Sequence, residues 1–323
     1  AREHMKIRIL PAAAVRQALT MPLALQAMRA AFSQFSAGAA VCPPRSRVPT
    51  ARGATLVMPA WIKHTNDFAV KVVSIFPPNA GRGLPVVNAA ALVLDPGTGQ
   101  PLALLDGAEL TAIRTGAAGA LAASVLARPD AEVAGVFGAG VQARAQIRGL
   151  LAVRPIRRLI LKSRSQASAA RLAEEIASWP SPPQVILGSD AASAVRGADI
   201  IVTATTSPLP LFDGQDLRPG AHVNAVGAFT PETRELDDTV IQRARVFVDS
   251  RQACLAEAGD IVIPRAPIEA ELGEVLNGAR PGRLNDEEIT VFKSVGIAVQ
   301  DAAAAAAALR HAEAQGLGQL VDF

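Results

Sequence analysis

The sequence contains no tyrosine, and aromatic residues account for only 4% of its 323 residues. So few aromatic side chains leave little surface on which nucleic acid bases can stack. The formal net charge of +3 is small for this length, and no run of lysine or arginine stands out. Because nucleic acid-binding surfaces need clustered basic residues, we expect no nucleic acid partner.

Cysteine and histidine are also scarce. The two cysteines, Cys42 and Cys254, lie far apart, and the four histidines are scattered. We expect inert thiols in a reducing compartment and no metal site. The sequence shows no secretory signal, and the alanine-rich run 302–308 is too short to span a membrane. We therefore expect a cytoplasmic protein without membrane attachment, and we expect residues 1–4, before Met5, to lie outside the fold.

The middle of the chain alternates short apolar runs with helical patterns. The predicted strands are 133–137, 158–162, 184–187, 200–204, 222–226 and 246–249, and the helices between them are 141–151, 166–178 and 190–196. Strands that alternate with helices indicate right-handed crossovers and a parallel sheet covered on both faces. The sequence thus predicts an α/β fold with a Rossmann-type, doubly wound sheet.

The flanking regions have a different pattern. Strand-like segments at 6–9, 55–58, 68–76, 85–94 and 101–105 are separated by turns, and helical patterns cover 10–19, 21–35 and 106–126. These strands are expected to be antiparallel or mixed, as in a second, α+β domain. A long helical pattern from about Phe292 to Ala314 is expected to return to this N-terminal domain.

A glycine-rich turn follows the strand at 133–137. The pattern Gly138-x-Gly140-x-x-Ala143 leads into a helix, as the dinucleotide-binding fingerprint requires. Gly138 allows the turn, Gly140 lets the backbone approach a pyrophosphate, and Ala143 lets the helix pack closely. The amides of the helix N-terminus then face the phosphates. An ordinary turn is the alternative, but the context favours cofactor binding.

The end of the next strand predicts which cofactor is used. An acid is typical there in NAD-binding folds, whereas this chain has Ser163, Arg164 and Ser165. Hydroxyls and a guanidinium suit a 2′-phosphate, so NADPH is preferred and NADH is expected to bind more weakly. Further residues at strand ends are expected to line the adenosine and nicotinamide parts of the site: Thr203, Ala204, Thr205, Val226, Gly227 and Ala228. For any single residue of the segment 203–207, a simple turn is about as good an explanation.

Three basic residues outside the Rossmann region stand out. Lys71 interrupts an apolar strand, and a buried lysine is costly unless it is paired or functional. Arg114 lies in a helix of small residues, and Arg45 follows two prolines and could bind a carboxylate with its guanidinium fork. A solvated strand or helix face explains Lys71 and Arg114 about as well as a substrate site, and Arg45 by itself is more often a surface residue.

Taken together, the motifs resemble the ornithine cyclodeaminase/mu-crystallin family over nearly the full length. The matching stretches occur in the same order at 71–79, 83–85, 104–107, 110–115, 138–142, 224–228, 234–237, 257–261 and 291–296. The resemblance implies a substrate-binding and dimerisation domain (5–119 with 297–323), an inserted NADP-binding domain (120–296) and a homodimer.

The resemblance also implies roles for individual residues. Arg45 and Arg114 match the family's substrate-carboxylate arginines, and Lys71 matches its active-site lysine. The cofactor contacts that the resemblance implies, together with the glycine turn, are Arg114, Thr115, Gly138, Ala139, Gly140, Val141, Gln142, Ser163, Arg164, Ser165, Lys293 and Ser294.

Two departures favour one branch of the family. Cyclodeaminases carry an Asp where this chain has Phe229, and an acid where it has Ser163-Arg164. The expected activity is therefore NADPH-dependent reduction of cyclic ketimines, Δ1-pyrroline-2-carboxylate and Δ1-piperideine-2-carboxylate, with Lys71 as proton donor and Thr230 as a hydrogen-bond partner. Alanine dehydrogenase or opine-type reductive amination, ornithine cyclodeamination and a non-catalytic NADPH-binding protein stay open as alternatives.

Overall fold

A computed structural model describes residues 5–322, so the expectation for residues 1–4 lies outside the described residues. The residue contacts divide the chain into two units, one running from Thr115 to Gly296 and the other formed by the residues before and after it. The division falls after Arg114, whereas the sequence suggested residue 119. Both positions lie within one continuous helix, Gly107–Leu126, so no loop marks the boundary. No helix within 5–322 is both long and apolar enough to cross a membrane.

The secondary structure comprises sixteen strands and eleven α-helices in the described residues. In chain order the strands are β1 (Lys6–Leu10), β2 (Ala40–Val41), β3 (Ser46–Thr50), β4 (Gly53–Ile62), β5 (Asp67–Ile75), β6 (Val87–Leu94), β7 (Pro101–Asp106), β8 (Val133–Phe137), β9 (Arg158–Lys162), β10 (Gln184–Leu187), β11 (Ile200–Thr203), β12 (His222–Ala225), β13 (Ala244–Val248), β14 (Ala270–Glu271), β15 (Ile289–Lys293) and β16 (Gln319–Asp322). The helices are α1 (Ala12–Ala18), α2 (Met21–Ser36), α3 (Gly107–Leu126), α4 (Val141–Val153), α5 (Gln166–Ala177), α6 (Ala191–Val195), α7 (Asp238–Arg243), α8 (Arg251–Glu257), α9 (Gly259–Val262), α10 (Leu272–Leu276) and α11 (Ala298–Gln315).

The first unit is built on a mixed sheet in the order β16-β1-β7-β6-β5-β4-β2, with β3 paired to β4. Only β1 and β7 pair in parallel among its described strands. Along β5, burial alternates, so that Asp67, Ala69, Lys71 and Val73 share the covered face. Helix α11 packs on this sheet against β4, β5 and β6. Its alanines carry small side chains, which let the helix lie close to the strands.

The second unit is a parallel sheet in the order β10-β9-β8-β11-β12-β15-β13-β14. Neighbouring residues of one strand enter different cores: Val136 packs with α4 and α5, and Phe137 with α6, α7 and α8. The sheet is therefore covered on both faces, and its order reverses beside β8, as in doubly wound folds. The predicted Rossmann-type fold class is confirmed.

One predicted element is wrong. The helix expected from Phe292 begins only at Ala298, and Ile289–Lys293 form the buried strand β15. Both faces of this strand are covered, so its residues form a continuous apolar run without the alternation that marks a half-exposed strand. The sequence pattern therefore assigned this run and the alanine-rich segment after it to a single helix.

Candidate active site

The turn between β8 and α4 has the backbone that a dinucleotide needs. Gly138 has a φ of 109°, and a Cβ atom there would lie 2.4 Å from the carbonyl oxygen of Ala204. Gly140 caps α4 without any side-chain hydrogen bond, and a Cβ there would meet no atom within 4 Å. The amides of the first turn of α4, which have no intrahelical acceptor, thus remain available to phosphate oxygens.

A cavity of about 480 Å³ opens beside this turn. It lies at the carboxyl ends of β8, β9 and β11, where ligands bind in open parallel sheets. The predicted cofactor residues that line it are Gly138, Ala139, Gly140, Ser163, Arg164, Ser165, Ala204 and Thr205. Val141 and Gln142 follow the turn in α4, while Thr203 is the last residue of β11. The residues present therefore fit a nicotinamide dinucleotide.

Arg164 lies at the cavity wall, and its guanidinium has no partner in the described part of the chain. Its two neighbours are used locally: Ser165 caps α5 by accepting from the Ser168 amide, and Ser163 accepts from the Ser165 amide at 3.3 Å. Arg164 is exposed and forms no ion pair or hydrogen bond within residues 5–322. A guanidinium without a protein acceptor can donate both of its outer N–H edges to a phosphate.

A buried carboxylate that sequence reasoning missed joins the loops after β11 and β12. Glu235 is fully buried and accepts from the Thr205 amide at 2.8 Å and from the Gly227 amide at 2.9 Å. Burial raises the pKa of Glu235, while the charge of Lys293 and the hydrogen bonds to the carboxylate oppose this increase. Two predicted cofactor segments, 203–205 and 226–228, are thus held together by one side chain.

The side chains of Lys293 and Ser294, which were predicted to lie near the cofactor, have partners within the protein. The Lys293 ammonium lies 2.7 Å from Asp260 and donates to the carbonyl oxygen of Ala228, and Ser294 donates to Asp249 at 2.7 Å. Their side chains therefore brace the ends of β12, β13 and β15. A contact between these residues and the cofactor stays a prediction.

Thr115 and Thr230 belong to the same unit as the Rossmann sheet. Thr115 is buried, and its carbonyl oxygen accepts from Gln146 at 2.7 Å. Thr230 lies after β12, with its hydroxyl 3.0 Å from that of Thr233. Neighbouring Phe229 is 41% exposed, which leaves its ring accessible.

In the first unit, Lys71 and Arg114 meet one carboxylate. The Lys71 Nζ atom lies 2.7 Å from Oδ2 of Asp301, and the Arg114 Nε atom donates to Oδ1 at 2.9 Å. All three side chains are buried, with exposed fractions of 2%, 6% and 2%. The solvated-face interpretations of Lys71 and Arg114 are therefore wrong.

Gln300 completes this buried group. Its Oε1 atom accepts from Arg114 NH1 at 2.8 Å and from the Ile297 amide at 3.1 Å. Its Nε2 atom is buried and has no hydrogen-bond partner within the described residues. The NH2 group of Arg114 likewise forms none with the described part of the chain. Two donors beside Lys71 thus remain for a ligand acceptor.

Arg45 lies in the connection between β2 and β3 and is half-buried. Its charge acts on Lys71: burial, together with the charges of Arg114 and Arg45, lowers the pKa of Lys71 to about 8 against the opposing effect of Asp301. The three basic residues that the sequence singled out are thus brought together. A lysine with this pKa can exchange a proton near neutral pH.

Asp301 and Gln300 are the functional candidates that sequence reasoning did not assign. The available signal was an amide and an acid directly before the alanine run of α11. Both residues are buried. Polar side chains on the buried stripe of a helix need partners, which predicts a buried polar contact but not its members.

The sequence and the structure both match known proteins. The ornithine cyclodeaminase/mu-crystallin family matches residues 5–315. A Δ1-pyrroline-2-carboxylate reductase of Bacillus cereus is 39% identical over 303 residues, 91% of this chain and 93% of the relative. The Thermococcus litoralis Δ1-pyrroline-2-carboxylate reductase in complex with NADH and L-proline is 37% identical, with a TM-score of 0.93 over 97% of this chain and 99% of that one. An archaeal alanine dehydrogenase dimer with bound NAD is 31% identical, with a TM-score of 0.93 over 99% and 100%.

These similarities confirm the resemblance that the motifs indicated and the prediction of an oxidoreductase. They also support a nicotinamide nucleotide as the cofactor.

Proposed function

Because the chain belongs to the ornithine cyclodeaminase/mu-crystallin family, we propose that it reduces cyclic ketimines with NADPH. The substrates are Δ1-pyrroline-2-carboxylate, which gives L-proline, and Δ1-piperideine-2-carboxylate, which gives L-pipecolate. The observation that carries this proposal is the buried group of Lys71, Arg114 and Asp301 with Arg45 beside it. Three cationic side chains around one carboxylate suit a substrate that brings a carboxylate of its own.

Reduction of the C=N bond adds a hydride to the ring carbon and a proton to the ring nitrogen, and NADPH supplies the hydride when it is bound. Arg45 binds the substrate carboxylate through its guanidinium fork, and Arg114 adds a hydrogen bond from NH2. Lys71 donates the proton to the nitrogen. Holding the substrate at fixed points lowers the entropic part of the barrier. Phe229 offers an apolar surface to the ring, and Thr230 offers a hydroxyl.

The preference for NADPH rests on Arg164. The pyrophosphate would be held by the glycine turn and the start of α4, which are Gly138, Ala139, Gly140, Val141 and Gln142. The 2′-phosphate would be held by Arg164 with the hydroxyls of Ser163 and Ser165. No acidic residue lines this cavity in the described part of the chain. NADH lacks the phosphate and would lose this contact, so it should bind more weakly.

Steady-state kinetics with each of the two imines and each nucleotide test the proposal. The expected result is nucleotide oxidation that requires imine, with a higher kcat/KM for NADPH. Ornithine and NAD(P)⁺ test cyclodeamination, which would release ammonia without net reduction. Nucleotide binding without turnover of either imine would overturn the proposal and indicate a binding protein.

A second candidate is reductive amination of pyruvate, since an archaeal alanine dehydrogenase has a closely similar structure. The same assay with pyruvate and ammonia tests it. The proposed reductase should use the preformed ring far better than this pair. That relative is a dimer, and we propose a homodimer here too; light scattering on the purified protein should then give about twice the chain mass of 33.4 kDa.

A further inference from the structure

Asp301 is the carboxylate that two cationic side chains share. Its two oxygens have separate partners: Oδ1 accepts from Arg114 Nε at 2.9 Å, and Oδ2 lies 2.7 Å from Lys71 Nζ. Asp301 is buried, so water does not compete for either oxygen. Because each cation is bonded to a different oxygen, the position of one carboxylate determines the positions of both.

Helix α11, which carries Asp301, holds the Arg114 guanidinium through two successive residues. Asp301 lies in the first turn of α11, next to Gln300, which accepts from Arg114 NH1 at 2.8 Å. The guanidinium is thereby held at Nε and at NH1 by successive residues. The remaining NH2 group is then oriented by the protein before any ligand binds.

We propose that Asp301 is a positioning residue for the reaction: it holds Lys71 as a protonated donor and orients Arg114 toward the substrate carboxylate. This inference rests on the proposed ketimine reduction. It assigns no contact between Asp301 and the substrate. Asp301 acts through Lys71 and Arg114, and its loss should change when Lys71 carries its proton.

The charges around Lys71 come from several elements. Asp301 faces it from α11, Arg114 from α3 and Arg45 from the connection before β3. Thr111 of α3 accepts from Nζ at 3.4 Å, and the register partners on β4 and β6, Met58 and Ala91, bring no charge.

Cys42, in the same connection as Arg45, lies within electrostatic reach of Asp301, and burial raises the pKa of its thiol. The thiol therefore stays neutral near neutral pH. Asp301 is the one negative charge among the causes that act on Lys71, and it favours the protonated form against burial and two arginines.

The first test compares Asp301→Asn with Asp67→Asn. Asp67 is a matched control, because it is a buried carboxylate of β5 that pairs with Arg310 of α11, and so joins the same two elements without touching Lys71. The pH profile of kcat/KM for imine reduction is measured for both. In the wild-type protein the rate should fall as Lys71 loses its proton near its pKa of about 8.

Asp301→Asn should move this alkaline limb to lower pH by about 1 to 3 units. Asp67→Asn should leave the limb in place, even if the protein is less stable. A limb at the wild-type pH in Asp301→Asn would overturn the inference, because a merely structural role predicts a lower rate or stability without a change in the profile.

A second measurement does not need turnover. The free energy of unfolding is followed against pH for the wild-type protein, Asp301→Asn and Asp67→Asn, each with and without Lys71→Met. The contribution of Lys71 to the free energy of unfolding is the difference between each protein with and without Lys71→Met. This contribution should begin to rise at a lower pH in the Asp301→Asn background than in the other two. If the wild-type protein reduced neither imine, the proposed function would fail, but this comparison would still decide whether Asp301 controls the proton of Lys71. If the contribution of Lys71 began to rise at the same pH in all three backgrounds, that role of Asp301 would be rejected.

Discussion

Lys293 and Asp260 form a completely buried ion pair with a separation of 2.7 Å. Lys71 and Asp301 have the same separation, yet the pKa values of the two lysines shift in opposite directions. Burial lowers the pKa of Lys293, but Asp260 and Glu235 together more than offset this and raise it above its usual value. Lys71 shares its carboxylate with Arg114, so burial dominates and its pKa falls to about 8. Lys293 is therefore suited to a permanent structural charge, and Lys71 to proton transfer.

Lys71→Met should abolish most of the turnover of cyclic imines. The thioether fills a similar volume but carries no proton, so kcat should fall by about 10²- to 10⁴-fold, the usual contribution of a positioned acid. Nucleotide binding, followed by fluorescence titration, should be unchanged, because the phosphate-binding turn lies elsewhere in the chain. Lys63→Met, at an exposed lysine, is the control and should keep wild-type rates; full activity in Lys71→Met would remove this residue from the mechanism.

The same variant should change how stability depends on pH. Between pH 8 and the ordinary lysine pKa of 10.5, the unfolded chain binds a proton that folded Lys71 has lost. The free energy of unfolding therefore rises with pH in this window, by about 3 kcal/mol at most for this group. Lys71→Met lacks that contribution, so the difference between wild type and variant should increase across the window in urea unfolding. Parallel pH curves would show that Lys71 keeps its proton in the folded protein.

Arg164→Ala should reduce the preference for NADPH over NADH. A hydrogen bond to a charged group contributes about 1.5 to 3 kcal/mol, so kcat/KM with NADPH should fall about 10- to 100-fold while that with NADH stays the same. Arg171→Ala is the matched control, because Arg171 is a nearby exposed arginine whose guanidinium is bonded to Ser168. An unchanged ratio in Arg164→Ala would place the 2′-phosphate contact on other residues.

Two glycines of the same turn should respond differently to alanine. Gly140→Ala should fold normally, because its φ of −90° suits alanine and the new Cβ meets nothing within 4 Å, but it should weaken nucleotide binding where the backbone approaches the phosphates. Gly138→Ala should lower the melting temperature, since its φ is 109° and its Cβ would collide with the Ala204 carbonyl oxygen. Differential scanning fluorimetry with and without NADPH separates the two effects. Equal affinity in Gly140→Ala would contradict the phosphate site.

Much of the second unit followed from local pattern. The apolar run 133–137, the glycines at 138 and 140, and the alternation with helices predicted a parallel doubly wound sheet, which the structure has. Its short strands could be located because Gly, Ser and Asp residues interrupt the apolar runs. Strand β15 was missed because an apolar run covered on both faces has no period that distinguishes it from a helix.

The fold class, the nucleotide-binding turn and the unusual position of a lysine in an apolar strand could all be inferred from the sequence alone. Three contacts became evident only in the folded chain: Lys71 faces Asp301, Arg114 shares this carboxylate, and Glu235 joins the loops after β11 and β12. Local sequence encodes periodicity and turns, which act over a few residues. A pair such as Lys71 and Asp301 depends on the register of β5 in its sheet and on how α11 packs over it, and these are settled only when the whole unit buries its apolar surface.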